Sequence, residues 1–367
     1  MISAQDLSYM EMAYGLAARA RGWASPNPLV GAVIVNRNRI VGTGYHAKPG
    51  KPHAEILALE KAGEQARGAK AYITLEPCVH WGRTPPCVDR LIAAGLRSVV
   101  ISSVDVNPLV YRKGIQKLRE AGIRVSVGLM EEKHKKMNEA YETYIRDGIP
   151  FVTAKVAVSL DGKMATRERK SRWITSRRAR EYVHLLRGEH DALMVGIHTI
   201  LKDDPFLTVR HPLWRRKRLV RIVLDTKLRI LPEARILKTL NRGRLIVFTH
   251  EPSSSRKAEA LQKAGAEIVS LPEGSSPRVD LKKVLSWLGH QGISSVLVEG
   301  GSRLLTSLLE AGLVHKVFLV FAPKLVGGEK ALPFYLGKGA RTPAEALELK
   351  KRRVYSLGED WVVEGYL

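Results

Sequence analysis

Hydrophobic positions along the chain change between helical and strand-like spacing. From Asp6 to Ala20, apolar residues recur every three or four positions and Gly22 follows, so the spacing predicts an amphipathic first helix. Leu29 to Val35 and Ile40 to Gly44 are apolar stretches joined by four polar residues, which predicts a hairpin. Helices and short strands then alternate as far as Val127. This order is typical of an α/β sheet that is covered by helices on both faces.

A charged helix followed by breaker residues predicts a domain boundary. Met130 to Arg146 has the pattern of one helix, and Asp147-Gly148-Ile149-Pro150 ends it. A second alternating series begins at Phe151, and the two halves share no motif. We therefore expect two α/β domains, residues 1–147 and 148–367, which fits the usual domain size of roughly 100 to 200 residues.

The composition narrows the class of protein. With 45% hydrophobic and 26% charged residues, the chain has enough apolar content to fold into packed domains. Sixty Lys and Arg against 36 Asp and Glu give a net charge of +24, which attracts phosphorylated metabolites, nucleotide cofactors or nucleic acid. Two cysteines cannot form a disulfide framework, and neither a signal peptide nor a membrane-length apolar run is present. We expect a soluble, cytoplasmic protein without a membrane partner.

Both cysteines belong to the strongest chemical signal. His53-Ala54-Glu55 is followed by Pro77-Cys78 and then by Cys87, so one imidazole and two thiolates provide three zinc ligands and leave a fourth position for water. His46 and His80 are nearby candidates that would close the site as a structural one. Glu55 favours catalysis instead, because a carboxylate beside zinc-activated water can move protons during hydrolytic deamination.

The spacing of the two cysteines departs from the common deaminase pattern. Zinc nucleobase deaminases carry H-x-E followed by P-C-x-x-C, whereas eight residues separate Cys78 from Cys87 here. Pro52 and the segment after Cys87 predict that the ligands lie at helix starts, where the helix dipole stabilises a thiolate. The alternative interpretation is that these are ordinary helix and loop residues.

A glycine pair in the second half is a candidate phosphate site. Glu299-Gly300-Gly301-Ser302 lies between an apolar strand and a periodic helix, where an anionic group could approach free backbone N–H groups. A tight strand-to-helix turn would also use glycine. A Rossmann site is disfavoured, because Gly42-Thr43-Gly44 is followed by prolines rather than by a helix.

These motifs resemble the bifunctional pyrimidine deaminase/uracil reductase family of riboflavin biosynthesis. The resemblance covers almost the whole chain, and one departure is Val106, where the family usually has proline before the asparagine. It rests on the following segments: Pro26 to Gly31, His46 to Glu55, Pro77 to Cys87, Lys155 to Lys163, Trp173 to Ser176, Asp203 to Arg210 and Val298 to Gly301.

The resemblance implies a fold and two reactions. The fold is α/β, with an N-terminal cytidine-deaminase-like three-layer domain and a dihydrofolate-reductase-like domain after it. The first reaction removes the 2-amino group of a diaminopyrimidinone ribosylamine phosphate with Zn²⁺, and the second reduces the ribosyl group to ribityl with NADPH. The implied partner is this phosphorylated small molecule, with no nucleic acid expected, and a homo-oligomer stays open.

The resemblance also implies roles for individual residues. Glu55 is the catalytic residue, and His53, Cys78 and Cys87 are the metal ligands. The cofactor contacts are Val158, Trp173, Thr199, Asp203, Gly300, Gly301 and Ser302. The substrate contacts are Asn27, His46, Thr84, Lys155, Ser171, Arg187, Leu207, Arg210 and Glu299.

Two rival functions remain open on the sequence alone. A nucleic-acid deaminase would use the basic runs Arg215 to Arg218 and Lys350 to Arg353 to hold phosphates, although such runs are usually solvated faces. A non-catalytic binding module would use zinc only for stability, and it would not need Glu55.

Overall fold

The chain forms two compact units, Met1–Gly148 and Ile149–Leu367. The computed structural model describes residues 2–81, 85–214, 216–272, 274 and 277–367. The division falls one residue after the boundary that the sequence predicts. None of the helices in these described ranges is long and apolar enough to cross a membrane.

The first unit is a five-stranded sheet with helices on both faces. The strand order is β2-β1-β3-β4-β5, in which β1 is antiparallel to both neighbours and β3, β4 and β5 are parallel. The strands are β1 Gly31–Asn36, β2 Arg39–Tyr45, β3 Lys70–Ile73, β4 Ser98–Ile101 and β5 Arg124–Val127. The helices are α1 Ala4–Ala17, α2 Ala54–Ala62, α3 Cys87–Ala93, α4 Lys113–Glu120, α5 Glu131–Met137 and α6 Glu139–Asp147.

Alternation along β1 divides the core of this unit into two layers. Ala32 and Ile34 pack into the cluster beneath α2, α3 and α4, whereas Val33 and Val35 pack on the opposite face with α1. Successive side chains of a strand point to opposite faces, so a strand buried on both sides is apolar throughout. The expected three-layer α/β architecture is confirmed.

The segment predicted as one helix from Met130 to Arg146 forms two helices. Asn138 separates α5 from α6 with a backbone outside the helical range, φ −111° and ψ 21°. Its side chain accepts a hydrogen bond from the N–H of Leu29 at 2.7 Å and donates one to the carbonyl of Leu29 at 3.2 Å. These bonds to a distant segment hold Asn138 at the break between the two helices, which periodicity alone could not show.

The second unit is built on a nine-stranded sheet of order β11-β10-β9-β8-β12-β6-β13-β16-β15. The run from β11 to β13 is parallel, and β16 and β15 extend it in antiparallel fashion. A separate pair joins β7 and β14. The strands are β6 Phe151–Ser159, β7 Lys163–Ala165, β8 Ala192–Gly196, β9 Val220–Leu224, β10 Leu245–Thr249, β11 Glu267–Ser270, β12 Ser295–Val298, β13 Lys316–Ala322, β14 Leu332–Pro333, β15 Lys350–Leu357 and β16 Asp360–Tyr366. The helices are α7 Arg177–Glu189, α8 Ile197–Asp203, α9 Arg256–Lys263, α10 Leu281–His290 and α11 Ser302–Glu310.

The carboxyl ends of the parallel strands create the crevice of the second unit. The pairing of β12 with β6 ends at Val298 and Ala154, and β6 continues to Ser159. Gly300 and Gly301 follow β12 at this place and lead into α11. In open α/β sheets, ligands bind outside the carboxyl ends of the strands, so the fold places the predicted cofactor residues at a suitable edge.

In the first unit, α2 lies against β2 at two glycines. A Cβ atom at Gly44 would lie 2.2 Å from the carbonyl oxygen of Ala54, and one at Gly42 would lie 2.0 Å from that of Ala58. Both contacts are with helix backbone, which cannot yield as a side-chain end would. The glycines thus fix the position of α2, the helix that follows His53.

We expect Gly44→Ala to lower the free energy of unfolding of the first unit by about 1–3 kcal/mol, because the added methyl group overpacks a backbone contact. Chemical denaturation measures this loss. Gly15→Ala is the matched control, since Gly15 lies in α1 with no neighbouring atom within 4 Å of its built Cβ. The control should be neutral or stabilising by up to about 1 kcal/mol. Equal stability of the two variants would contradict the packing described here.

Candidate active sites

The three predicted metal ligands converge from three separate segments. His53 is the N-cap of α2, Cys78 follows β3, and Cys87 is the first residue of α3. The Nδ1 atom of His53 lies 3.1 Å from Sγ of Cys87 and 3.6 Å from Sγ of Cys78, and the backbone N–H of Cys87 donates to Sγ of Cys78 at 3.4 Å. Pro52 directly precedes the N-cap, so His53 lies at a helix start as the sequence predicts.

This donor set fits zinc. The three ligand atoms lie within 4.8 Å of one another. Among the described residues, His53, Cys78 and Cys87 form the group of three or more His, Cys, Asp or Glu side chains that is close enough to hold a metal ion. Tetrahedral Zn–N and Zn–S bonds of about 2.0 and 2.3 Å place such donors about 3.5 Å apart. The thiol of Cys87 lowers the pKa of Cys78 against the effect of burial, and His53 lowers it further. The contact thus favours the thiolate of Cys78, whereas the same contact and burial raise the pKa of Cys87 in the metal-free site. A bound metal cation would stabilise both thiolates.

Glu55 lies beside these ligands as predicted. It occupies the first turn of α2, and only 4% of its surface is exposed. Burial raises the pKa of its carboxyl group to about 7, and His53 opposes the rise. A carboxyl group with this pKa can both accept and release a proton near neutral pH.

His46 and Asn27 form a hydrogen-bonded pair in the wall of the same cavity. Burial lowers the pKa of His46, and its Nδ1 lies 3.3 Å from the carbonyl oxygen of Pro52. A neutral ring that donates from Nδ1 accepts at Nε2, which lies 3.0 Å from the side-chain nitrogen of Asn27. Both ring nitrogens are thus engaged, which removes His46 as a fourth zinc ligand.

His80 lines the cavity and lies outside the group of three ligands. Thr84, the remaining predicted substrate contact of the first unit, lies outside the described residues. The structure therefore gives no support to the closed, four-ligand alternative in the part of the chain that it describes.

The cavity has a volume of about 420 Å³, and its wall contains three polar residues that were not predicted from the sequence. Asp105, Asn107 and Tyr141 line it together with His53 and Cys78. Oδ1 of Asp105 accepts hydrogen bonds from the N–H of Asn107 at 2.9 Å and from the hydroxyl of Tyr141 at 2.8 Å. Burial raises the pKa of Asp105 to about 6. The family resemblance includes the loop of Asp105 and Asn107, but no role was predicted for this loop because Val106 departs from the family pattern.

In the second unit, two predicted substrate residues bind each other. Arg187 of α7 donates from Nε and Nη2 to the two carboxylate oxygens of Glu299, at 2.6 and 2.7 Å, and from Nη1 to the carbonyl of Thr208 at 3.1 Å. Lys155 of β6 is influenced by both charges: burial lowers its pKa, Glu299 raises it and Arg187 lowers it. The bidentate pair occupies much of the hydrogen-bonding capacity of Arg187 and fixes the orientation of Glu299.

His184 connects Arg210 with this group of charged residues. Burial lowers the pKa of His184 to about 4, with further lowering by Arg187 and Arg210. Neutral His184 accepts a hydrogen bond from Nε of Arg210 at 3.2 Å. The structure thus brings Lys155, Arg187, Arg210 and Glu299 into one charged cluster, with His184 as a member that the sequence did not reveal.

Three of the other predicted residues have side chains that the protein already uses. Val158 and Leu207 are buried in apolar clusters, and Ser302 donates its hydroxyl hydrogen bond to the carbonyl of Pro333. Leu207 also adopts a positive φ of 51°. The side chains of Val158 and Leu207 are thus committed to packing, which leaves their backbone atoms for contact with a ligand.

The remaining predicted residues lie on nearby loops and on α8. Trp173 is 63% exposed and stacks beneath the guanidinium of Arg180 at 4.3 Å. Asp203, the last residue of α8, lies 3.7 Å from the guanidinium of Arg172. Thr199 and Ser171 are half-buried. Their contacts with a cofactor or substrate stay predictions.

A cationic cleft of about 800 Å³ opens at the carboxyl ends of β8 and β9, next to α11. Gly196 and Leu224 end these strands in the cleft, and Leu304 of α11 forms part of its wall. Its lining carries the following charged side chains: Lys227, Arg229, Arg278, Lys282 and Arg303, with Asp280 as the acidic residue. The sequence could not reveal this cleft, because its cations come from three separate segments of a chain that is basic throughout.

Comparison with known proteins agrees with this arrangement. Residues 3–103 match the model of the cytidine and deoxycytidylate deaminase zinc-binding region, and residues 150–363 match the RibD C-terminal domain. A riboflavin biosynthesis protein RibD of Aquifex aeolicus is 43% identical over 99% of both chains. The chain belongs to the RibD family.

Solved structures of RibD proteins share the whole fold. The RibD of Acinetobacter baumannii has a TM-score of 0.87 and 35% identity, covering 99% of this chain and 98% of that one. A diaminohydroxyphosphoribosylaminopyrimidine deaminase/5-amino-6-(5-phosphoribosylamino)uracil reductase of Thermotoga maritima has a TM-score of 0.86 and 35% identity, covering 98% of each chain. The expected bifunctional enzyme of riboflavin biosynthesis, with a zinc-dependent deaminase and an NADPH-dependent reductase, is confirmed at the level of the RibD family.

We expect Cys78→Ser to lose tightly bound zinc, because a hydroxyl group replaces one of two thiolate ligands. Metal analysis after dialysis against a chelator measures the loss. The control is His80→Asn, which changes a cavity residue outside the ligand group and should keep the zinc content of the wild type. Zinc retained by Cys78→Ser, or lost from His80→Asn, would contradict the three-ligand site.

Proposed function

We propose that the cavity of the first unit deaminates 2,5-diamino-6-ribosylamino-4(3H)-pyrimidinone 5′-phosphate, and that the second unit then reduces the ribosyl group to ribityl. The observation that carries the deaminase assignment is the convergence of one histidine, two cysteines and buried Glu55 on one polar cavity. The reductase assignment rests on the charged cluster of Lys155, Arg187, Arg210 and Glu299 and on the cationic cleft at the carboxyl ends of the parallel strands.

Deamination replaces the 2-amino group of the pyrimidine by oxygen from water, with ammonia as the leaving group. Bound zinc supplies a Lewis acid that makes water nucleophilic near neutral pH. Glu55 accepts one proton from the attacking water and passes it to the ring nitrogen, and it then carries the remaining proton of that hydroxyl to the amine, which departs as ammonia. Its burial keeps the carboxyl group out of bulk solvent, so that the proton stays within the site.

The polar walls of the cavity hold the pyrimidine. The Asn27–His46 pair lies on one side of the ligands, and Asp105 and Asn107 complete the lining. Neutral His46 fixes the amide of Asn27, whose carbonyl oxygen is left to accept from a ring N–H or amino group. These contacts orient the carbon that bears the amino group toward Glu55.

In the reductase, hydride passes from NADPH to the sugar carbon, and a proton completes the reduction. No protein nucleophile is required, so the protein contributes orientation. Lys155 and Arg210 present positive charge to the substrate phosphate or sugar, and the bidentate contact with Arg187 keeps Glu299 aligned. Gly301 begins α11 with open space above its Cα, which allows a cofactor phosphate to approach the backbone.

We also propose that the cationic cleft binds the phosphate-bearing adenosine half of NADPH. Lys227 and Arg303 are exposed at this cleft, and Arg229 pairs with Asp225 at 3.5 Å. Arginine guanidinium groups suit phosphate recognition because their donors form a planar fork. Positive charge at this place accounts for part of the net charge of +24.

A free phosphorylated pyrimidine is a better substrate for this protein than nucleic acid. Lys217, from one of the two basic runs, is largely buried and lies 3.9 Å from the carboxylate of Asp191. Lys350 to Arg353, the other run, lies on the exposed edge strand β15, where positive charge discourages edge-to-edge pairing. Arg215 lies outside the described residues.

We expect Glu55→Gln to lower kcat for ammonia release by about 10²–10⁴-fold, because an amide cannot transfer the protons. Zinc content and NADPH oxidation with pre-deaminated substrate should remain at the wild-type level. Glu60→Gln, an exposed change on the same helix, is the control and should release ammonia normally. Loss of the reductase reaction in Glu55→Gln would contradict the assignment of two separate sites.

We expect Arg303→Met to raise the KM for NADPH by about tenfold, through loss of a charge-assisted hydrogen bond to phosphate. The KM for NADH should change little, since NADH lacks the 2′-phosphate. Arg256→Met changes an arginine in the first turn of α9 and serves as the control. Equal effects on both cofactors, or no effect on either, would place the 2′-phosphate elsewhere.

A further inference from the structure

One buried carboxylate joins three segments around the deaminase cavity. Glu76 lies between β3 and Cys78, and only 3% of its surface is exposed. Its Oε2 accepts hydrogen bonds from the N–H groups of Asp105 at 3.2 Å and Arg112 at 3.0 Å. Its Oε1 accepts from the N–H groups of Gly114 at 2.9 Å and Ile115 at 3.1 Å.

These four bonds use the full acceptor capacity of a carboxylate. Three of the donors belong to the N-cap and first turn of α4, which receives no capping bond from its own N-cap side chain. The positive end of the helix dipole also favours a negative charge at this place. Glu76 therefore supplies the cap of α4 from a distant part of the chain.

The fourth donor connects Glu76 with the substrate cavity. The backbone N–H of Asp105 donates to Glu76, and the Asp105 side chain in turn accepts from Asn107 and Tyr141. Asp105, Asn107 and Tyr141 all line the cavity that His53 and Cys78 also line. The backbone of Glu76 also donates to the carbonyl of Ser103 at 3.0 Å, at the other end of the same loop.

Close packing makes this junction rigid. A Cβ atom at Gly114 would lie 2.2 Å from the carbonyl oxygen of Pro77 and 3.2 Å from Cγ of Glu76. The start of α4 is thus pressed against the segment that runs directly into Cys78. The distance between the zinc ligand and the Asp105 loop is set through Glu76 and this glycine contact.

We propose that Glu76 is a positioning residue for deamination, which holds the Asp105–Asn107 wall at the correct distance from the zinc site. Glu76 lines the cavity, but its carboxylate oxygens are held by the four backbone N–H groups and are not free to carry protons. This inference rests on the proposed deaminase function. It assigns to Glu76 the placement of the residues that orient the substrate, whereas Glu55 moves the protons.

The test is Glu76→Gln in the full-length, zinc-loaded protein, assayed by ammonia release. The amide group turns an NH₂ toward two backbone N–H groups and leaves them without an acceptor. We expect KM for the diaminopyrimidinone phosphate to rise by about tenfold, and kcat to change by less than about threefold. Zinc content and the reductase reaction should be unchanged. Hydrogen–deuterium exchange should become faster in peptides that cover residues 105–115.

Glu120→Gln is the matched control, because Glu120 is the exposed last residue of the same helix. It should keep the KM, zinc content and exchange rates of the wild type. A wild-type KM in Glu76→Gln would overturn the proposal, as would a fall in kcat with unchanged KM. Wild-type protein that releases no ammonia would instead refute the proposed deaminase function itself.

A second variant decides the matter if Glu76→Gln also loses zinc or reductase activity through misfolding. Gly114→Ala leaves the carboxylate in place and forces the start of α4 away from Pro77 and Glu76. A raised KM with normal zinc content in Gly114→Ala would support the proposal. A wild-type KM in Gly114→Ala would overturn it.

Discussion

The deaminase site depends on three zinc ligands that meet from different parts of the chain. His53 precedes α2, Cys78 follows β3 and Cys87 begins α3, so none of the three reaches the others unless both helices are docked on the sheet. Glycines at the contact of β2 with α2 allow the required closeness. The same docking buries Glu55 against the ligands, and metal binding and proton transfer therefore depend on one packing arrangement.

Both units use the carboxyl ends of parallel strands, although their chemistry differs. In the first unit, Cys78 follows β3 and Asp105 follows the neighbouring strand β4. In the second, Gly300 follows β12 while β6 continues beside it. At such edges, loops from adjacent strands bring side chains together that are far apart in sequence. In the proposed reactions, the first unit provides a zinc site and a proton carrier, and the second provides charges that orient a sugar phosphate and a dinucleotide.

Features that depend on residues close together in sequence could be predicted, and features that depend on contacts between distant segments could not. The zinc ligands and Glu55 could be predicted because they occur in short, chemically specific motifs, and most buried strands were visible as apolar runs. Strand β15 was missed because it begins with four cations at a sheet edge, which hides the hydrophobic pattern. The break at Asn138, the Arg187–Glu299 pair and the cationic cleft all arise from residues distant in sequence. No local sequence pattern indicates which charged side chains lie close together in the folded protein.

The central claim is that the protein contributes one nitrogen and two sulfur donors to zinc. X-ray absorption at the zinc edge of the zinc-loaded protein tests it most directly. We expect a single imidazole with nitrogen at about 2.0 Å and two sulfurs at about 2.3 Å, and the rest of the coordination from solvent. A second imidazole in the spectrum would mean a closed structural site and would contradict the account.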